Sequence, residues 1–569
     1  MIRYFISFLF IPFALSLHAQ DSLPKFGSPV DFPIILSGNF AEMRNNHFHT
    51  GLDIKTGGVE GKRIISADEG RVARIAVSPY GYGRALYIEH PNGYTTVYAH
   101  LKSFSDKINA VVKAEQYAKK SFAVDFTPTE TVAISKGELI ALSGNTGGSG
   151  GPHLHFEIRE TDTERPQNPL LFGFDITDNL PPVMRGVRFH PLTDTTLING
   201  KNEAQSFVLT GQSGKYAIKA GTKISVYGAF GVSLHAIDFL NAASNKCGVY
   251  EVMLQVDGTE ICRQDFRELD FSTNRQINCY KDFESFRKKG WHYHKSFREP
   301  GNELPIYRPL PPDDGIISFS GQGTHTAEYE VKDAYGNLSK LSFEFESLGK
   351  PNGTFAIPED FEAYFSRERE NTYEYRDELK LKIPAKSLYR DLSFQFSVQM
   401  KTAQTMSEQY AVHNEFTPLD KQIELEISVR NVKPALRPYL VAARYPIAGG
   451  PAFIPVVIEG DFAKFKSKEF GKFTLMTDSI PPTMTAEKPG GTVTSTSSIG
   501  FTINDGRSGI RSHEAYLNGE WVLMDYEPKQ KRIWLVVKDT DFKKGSNKLE
   551  VVITDNCGNQ NRKSFTYTL

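Results

Sequence analysis

Between residues 30 and 170, apolar and polar positions alternate in short runs: Arg63–Ala67, Gly70–Val77, Arg84–His90, Tyr94–His100 and Glu138–Leu142. Turn dipeptides such as Asn92-Gly93 separate them. A period of two bounded by turns predicts half-buried strands joined as hairpins, so this region is expected to be an all-β unit spanning residues 30–172. From Leu101 to Val132 the period changes. Ile108, Val111, Val112 and Tyr117 fall at helical spacing among lysines, which predicts a helical insertion over about 102–131. Such an insertion serves either as a lid beside a cleft or as a solvated excursion.

The remainder carries an internal repeat. Asp178-Asn179-Leu180-Pro181-Pro182 returns as Asp478-Ser479-Ile480-Pro481-Pro482, and Asp333-Ala334-Tyr335-Gly336-Asn337 returns as Asp555-Asn556-Cys557-Gly558-Asn559. Each copy opens at a Pro-Pro boundary and closes with a strand, a turn and another strand, as an immunoglobulin-like β-sandwich does. The expected modules are therefore 178–348, lengthened by an insertion over Tyr280 to Pro312, and 478–569. Between them, 350–477 alternates in stretches such as Leu392–Val398 and Gln422–Val429, which predicts a further β-domain without those turn motifs. The whole is expected to be mainly β: an antiparallel N-terminal unit followed by β-sandwich modules, which position or bind.

Composition narrows the function. The 569 residues are 40% hydrophobic with a formal net charge of −1, so real cores can form and no basic footprint for nucleic acid is present. Residues 1–19 hold one positive charge, Arg3, an apolar run and small residues up to Ala19, the pattern of a signal peptide. Pro12 and the shortness of that run count against a membrane span, and no later segment has the roughly 18 consecutive apolar residues one needs. The chain is expected to be exported, to the periplasm, cell envelope or exterior of a bacterium. Cys247, Cys262, Cys279 and Cys557 are too few for a disulfide scaffold and lack zinc-knuckle spacing; their expected role is structural, with one bridge among the first three open.

Candidate chemistry gathers in the first unit. The glycine-rich stretch Gly144–Pro152 runs straight into His153-Leu154-His155-Phe156-Glu157-Ile158. On a strand the two imidazoles and Glu157 share one face, and Leu154, Phe156 and Ile158 share the other. His47, His49 and Asp53 lie near the start of the unit, and His100 ends a strand. Gly51 between His49 and Asp53 argues against a helix-borne metal motif. Glu157 either orients an imidazole or forms a surface ion pair. The second HxH, His292 and His294, has no accompanying H-x-x-x-D or glycine loop and is read as structural.

His49-x-x-x-Asp53, Tyr98-Ala99-His100-Leu101 and Gly151-Pro152-His153-Leu154-His155 together, in that order, resemble the signature of the lysostaphin/LytM-type zinc metalloendopeptidases, which cut peptides of bacterial cell walls. The resemblance covers roughly residues 35 to 170. It implies an open antiparallel β-fold with its site in a groove. It further implies one Zn2+ per chain held by His49, Asp53 and His155, with His153 and His100 as the catalytic pair. Two imidazoles and a carboxylate suit a catalytic zinc that keeps a position for water. His49 is preferred over His47 because it has the family's distance to Asp53. Two departures stand out: the long insertion after Leu101, and Gly150 where a threonine is common. The expected function is a zinc endopeptidase acting on peptidoglycan stem or cross-bridge peptides, with the C-terminal modules able to hold an envelope protein partner. The alternatives are a non-catalytic envelope scaffold or regulator, and a peptidase of Gly-rich secreted proteins.

Overall fold

The computed structural model describes residues 23–353, 355 and 361–569; the expected signal peptide lies outside the described residues. In the N-terminal unit, one antiparallel sheet runs in the spatial order Leu36–Gly38, Leu52–Lys55, His153–Glu160, Tyr94–Ala99, Arg84–Glu89, Gly70–Val77 and Val124–Phe126. The strand that comes last in sequence among these, His153–Glu160, lies in the interior of the sheet. Its neighbours are paired so that His155 stands opposite Asp53 on one side and Ala99 on the other. Register alone therefore brings three distant sequence blocks to one spot.

The alternation predicted for this strand sets the core. Leu154, Phe156 and Ile158 are fully buried with Leu52, Ile54, Leu86, Ile88 and Tyr98. Full burial of each such aliphatic or aromatic side chain stabilises by ~1.5–3 kcal/mol, so slipping the strand by one residue would cost several of these at once. A small sheet of Arg63–Ile65, Leu139–Leu142 and Ser103–Phe104 closes one end.

The insertion forms a helix, α1 (Asp106–Lys119), with Ile108, Val112 and Gln116 buried. Asp106 in its first turn and Lys119 in its last complement the helix dipole, and Lys120 ends it in the left-handed region. Its outer side meets the last module: Tyr117 packs edge-on against Trp521 with ring centroids 5.4 Å apart, and Lys113 pairs with Asp539 at 2.9 Å.

Three β-rich modules follow, with cores centred on residues 184–345, 365–475 and 484–567. The first shares its core with the N-terminal unit. Phe40, Ala41, Met43 and Phe48 belong to the module's apolar cluster, and the module returns Leu240 and Cys247 to the core of the N-terminal unit. Phe48 is fully buried against Phe266 and Tyr280 at 5.7 and 5.5 Å between ring centroids. The segment 280–312 adds a short helix, Phe283–Lys289, and a strand, His294–Lys295. The middle module holds two five-stranded sheets, and the last packs a four-stranded sheet on a five-stranded one. All four cysteines are free thiols, three of them buried, so no bridge joins the first three.

Candidate metal centre

His49, Asp53 and His155 converge. His49 Nε2, Asp53 Oδ1 and His155 Nδ1 are each 3.0 Å from the other two, and all three residues are buried. The remaining ring nitrogens are committed elsewhere. His49 Nδ1 faces the Asn39 carbonyl at 2.7 Å, and His155 Nε2 faces Glu157 Oε1 at 2.8 Å. Both N–H groups point outward to these acceptors, so two imidazole lone pairs and a carboxylate oxygen are aimed at one another. Such a cluster calls for positive charge at its centre, supplied either by a proton on His155 Nδ1 or by a metal cation in its place. The chemistry of the donor set fits zinc, whose bonds to nitrogen and carboxylate oxygen are ~2.0–2.2 Å.

The surrounding charges favour a cation too. Burial opposes charge on His155, yet its hydrogen bonds to Asp53 and Glu157 outweigh it and push the imidazole up to about 9. Burial likewise works against the Asp53 carboxylate, but His49 and the hydrogen bonds from the three histidines hold it well below its usual range. Arg44 donates to Asp53 Oδ2 at 2.8 Å and so leaves Oδ1 for the centre.

Glu157 is wholly buried and is no surface ion pair. Its Oε1 accepts from His155 Nε2, from Thr50 Oγ1 at 2.6 Å and from Tyr82 OH at 2.6 Å, while Oε2 accepts from Arg159 Nε at 2.7 Å. Arg159 in turn stacks on Phe271 of the first module, 4.5 Å from the ring centre. Such outer partners fix tautomer and ring orientation. Arg44, Asn39, Tyr82 and Arg159 escape sequence reading because their contacts follow no local spacing; for Glu157, strand parity with His155 was the available signal.

His153 and His100 stand beside the cluster. His153 Nδ1 faces the Gly151 carbonyl at 2.8 Å, and its Nε2 lies 3.3 Å from Asp53 Oδ1. His100 Nδ1 faces the Thr146 carbonyl at 2.8 Å, and its ring centroid is 4.8 Å from that of His153. Burial, with His155 and His153 nearby, depresses His100 to about 3, so it is neutral. With N–H on Nδ1, its Nε2 is a lone pair, and donation to an oxyanion requires that this nitrogen first take up a proton.

The glycine loop holds this arrangement. Gly147 adopts φ of +69°, and a Cβ there would meet the backbone nitrogen of Gly83 at 2.4 Å. Gly148 N–H donates to the Gly81 carbonyl at 2.7 Å. Gly150 is different: an added Cβ meets nothing within 4 Å, so a threonine would fit.

The cluster opens into a groove of about 880 Å³. Its far wall comes from other modules, through Phe271, Asn274, Arg275 and Lys468. None of the groove residues belongs to 102–131, so the insertion is a platform for the last module and no wall of this groove. The last module also touches the site loop: Lys529 Nζ donates to the carbonyls of Asn145 and Ser149, and Arg84 pairs with Asp525 at 2.7 Å. His47 is exposed and lies outside the donor triad. His294 is buried in the first module, 2.8 Å from Tyr280 OH, and neither it nor His292 belongs to a metal-competent cluster among the described residues.

Residues 47–124 match Peptidase family M23, and residues 362–478 match the Zu5-like domain. An uncharacterized metalloprotease of Haemophilus influenzae is 37% identical over 122 residues, 21% of this chain and 20% of that protein. The peptidoglycan DD-endopeptidase ShyB of Vibrio cholerae is 37% identical over 110 residues, 19% of this chain and 20% of its own length. The chain thus spans about a fifth of the length of these curated relatives. The crystal structure of a zinc-containing peptidase from Vibrio cholerae is 26% identical and covers 27% of this chain and 41% of that one, with a TM-score of 0.20. The N-terminal unit of this mainly β chain carries a Peptidase family M23 domain of the LytM type.

Proposed function

We propose that the protein is an exported zinc metalloendopeptidase that hydrolyses peptide bonds in the stem or cross-bridge peptides of peptidoglycan. The observation that carries this reading is the convergence of His49 Nε2, Asp53 Oδ1 and His155 Nδ1 on one point, opening on a groove that His153 and His100 also line. Zinc held by these atoms supplies Lewis acidity towards a carbonyl and lowers the pKa of water from 15.7 towards ~7.

The chain's own residues do the rest. His153 Nε2, with its N–H committed to Gly151, accepts the proton of the attacking water and returns it to the leaving amine. His100 Nε2 enters as a second acceptor beside it. There His100 would take the attacking oxygen's second proton and, so charged, donate to the oxygen on which negative charge develops. Glu157 and Asn39 keep the lone pairs of His155 and His49 turned inward throughout. The groove, walled by the N-terminal unit and by residues of the first and middle modules, suits an extended peptide strand.

Export rests on the N-terminal sequence pattern; among the described residues no helix is long and apolar enough to cross a membrane. Elemental analysis of the purified chain is expected to find about one zinc, and His155→Ala is expected to lose both zinc and muropeptide cleavage. Cleavage that survives this substitution would end the proposal. Digesting wall sacculi and a glycine-rich polypeptide side by side separates the wall substrate from Gly-rich proteins.

A further inference from the structure

The repeated motifs of the first and last modules take no part in the peptidase site, yet they gather carboxylates. Asp178 stands before Pro181-Pro182, Asp238 follows the strand Phe230–Ile237, and Asp333 opens the Asp-x-x-Gly-Asn turn. One oxygen from each lies within 4.8 Å of the others. Asp238 is only 2% exposed, and its Oδ1 has no hydrogen-bond partner; Asp178 Oδ2 is buried and equally unpartnered. Among the described residues, no lysine, arginine or histidine forms an ion pair with any of the three.

Three acids so close together, two of them buried and two with an orphaned oxygen, are costly. Removing a partner from a buried polar atom costs ~1–3 kcal/mol, and more where the atom is charged. Burial, followed by the charges of Asp333 and Asp178, pushes Asp238 up to about 8, and burial pushes Asp178 to about 6. A protein that merely needed polar turns there would not need three acids facing one another.

The last module repeats the arrangement at matching positions. Asp478, Asp505 and Asp555 offer oxygens within 4.8 Å of one another, and Asp505 follows the strand Ser498–Asn504 as Asp238 follows its own. Asn559 Nδ2 donates to the Asp478 carbonyl at 2.9 Å and to Asp555 Oδ2 at 2.7 Å; Asn337 Nδ2 does the same to Asp178 and Asp333 at 3.3 and 2.7 Å. In each copy one asparagine thus ties the entry aspartate to the turn aspartate.

We propose that Asp178, Asp238 and Asp333 bind a Ca2+ ion at the junction between the peptidase unit and the first β-rich module. The donors are all hard oxygens with no imidazole or thiolate, which selects against zinc. Calcium bonds of 2.3–2.6 Å let opposite oxygens stand ~4.6–5.2 Å apart, whereas magnesium at 2.0–2.1 Å demands a tighter octahedron and keeps several waters. The place has a consequence for the peptidase. Asp238 exchanges backbone hydrogen bonds with Cys247 at 2.9 and 2.8 Å, closing the loop whose next residue, Gly248, grips Asn39. Asn39 holds His49.

The test uses the full chain, loaded with zinc and freed of other metals. CaCl2 is titrated calorimetrically, and thermal unfolding is followed with and without 5 mM CaCl2. The wild type is expected to bind calcium and to melt a few degrees higher in its presence. Asp238→Asn is expected to bind one equivalent fewer and, without calcium, to melt at or above the wild type, because a buried acid among acids has been replaced by an amide of the same shape. Asp178→Asn, at a less buried position, serves as the second variant should Asp238→Asn fail to fold, with the same expected loss of one equivalent. No calcium binding up to 5 mM, an unchanged stoichiometry in the variants, or an equal response to MgCl2 would overturn the proposal.

Discussion

Glu157 lies two residues beyond His155 on the same strand and takes the outward nitrogen of its ring at 2.8 Å, so one carboxylate decides which lone pair the imidazole offers the centre. That carboxylate also neutralises Arg159 and accepts from Thr50 and Tyr82.

Glu157→Gln keeps the shape but removes the charge. Loss of such an outer partner lowers metal affinity ~10–100-fold. Breaking the buried pair with Arg159 costs a further ~3–5 kcal/mol of stability. Competition against a zinc chelator and urea unfolding measure the two effects separately; unchanged affinity would count against the orienting role.

His153→Gln and His100→Gln leave the donor triad intact. Each is expected to retain zinc and to lose ~10²–10⁴-fold in turnover of a wall peptide, the usual contribution of a positioned acid or base. Metal content alongside muropeptide release checks this, and loss of zinc in either variant would reassign that histidine as a ligand.

Gly147→Ala places a side chain in the left-handed region and against the backbone of Gly83. Strain of this kind costs ~1–3 kcal/mol. The Thr146 carbonyl that orients His100 shifts with it, so activity is expected to fall more than zinc content does. Activity per bound zinc is the quantity to measure.

Much of this site could be read from the chain. Strand parity put His153, His155 and Glu157 on one face, the spacing of His49 and Asp53 resembled a known family, and the core side of the strand followed from Leu154, Phe156 and Ile158. What stayed hidden depends on contacts without period. Arg44 reaches Asp53, Tyr82 reaches Glu157, and Lys529 reaches Asn145 across 384 positions of sequence, and no local pattern encodes such a meeting. The role of 102–131 was open for the same reason: helical spacing predicts α1, but only Trp521 and Asp539 say what its outer side faces.

Acid should weaken the first module. Burial depresses His294 to about 3 and, with nearby positive charges, His235 and His292 to about 4. Each is neutral when folded and takes a proton when unfolded, so the unfolded chain binds more protons below the ordinary histidine value near 6.5. Stability is therefore expected to be level in these groups above pH 7 and to fall as pH drops from about 6.5 towards 4. His294 alone contributes a slope of ~1.4 kcal/mol per pH unit within that window. Urea unfolding at pH 7, 6 and 5 measures it, and His294→Gln should flatten the slope.

Phe48→Ala removes a ring packed in the core of the first module from a segment of the peptidase unit. The loss is expected to be ~3–5 kcal/mol. Calorimetry should show both units shifting together in one transition; separate shifts would mean that the two cores melt independently.

Because Phe48 immediately precedes His49, a ligand of the candidate centre is joined by a single peptide bond to an anchor sunk in the neighbouring module. The N-terminal unit is consequently no interchangeable cassette. A fusion or excised fragment cut near residue 172 would present Phe40, Met43 and Phe48 to water as a greasy scar, and any transplant of this unit must carry the adjoining β-rich module along with it.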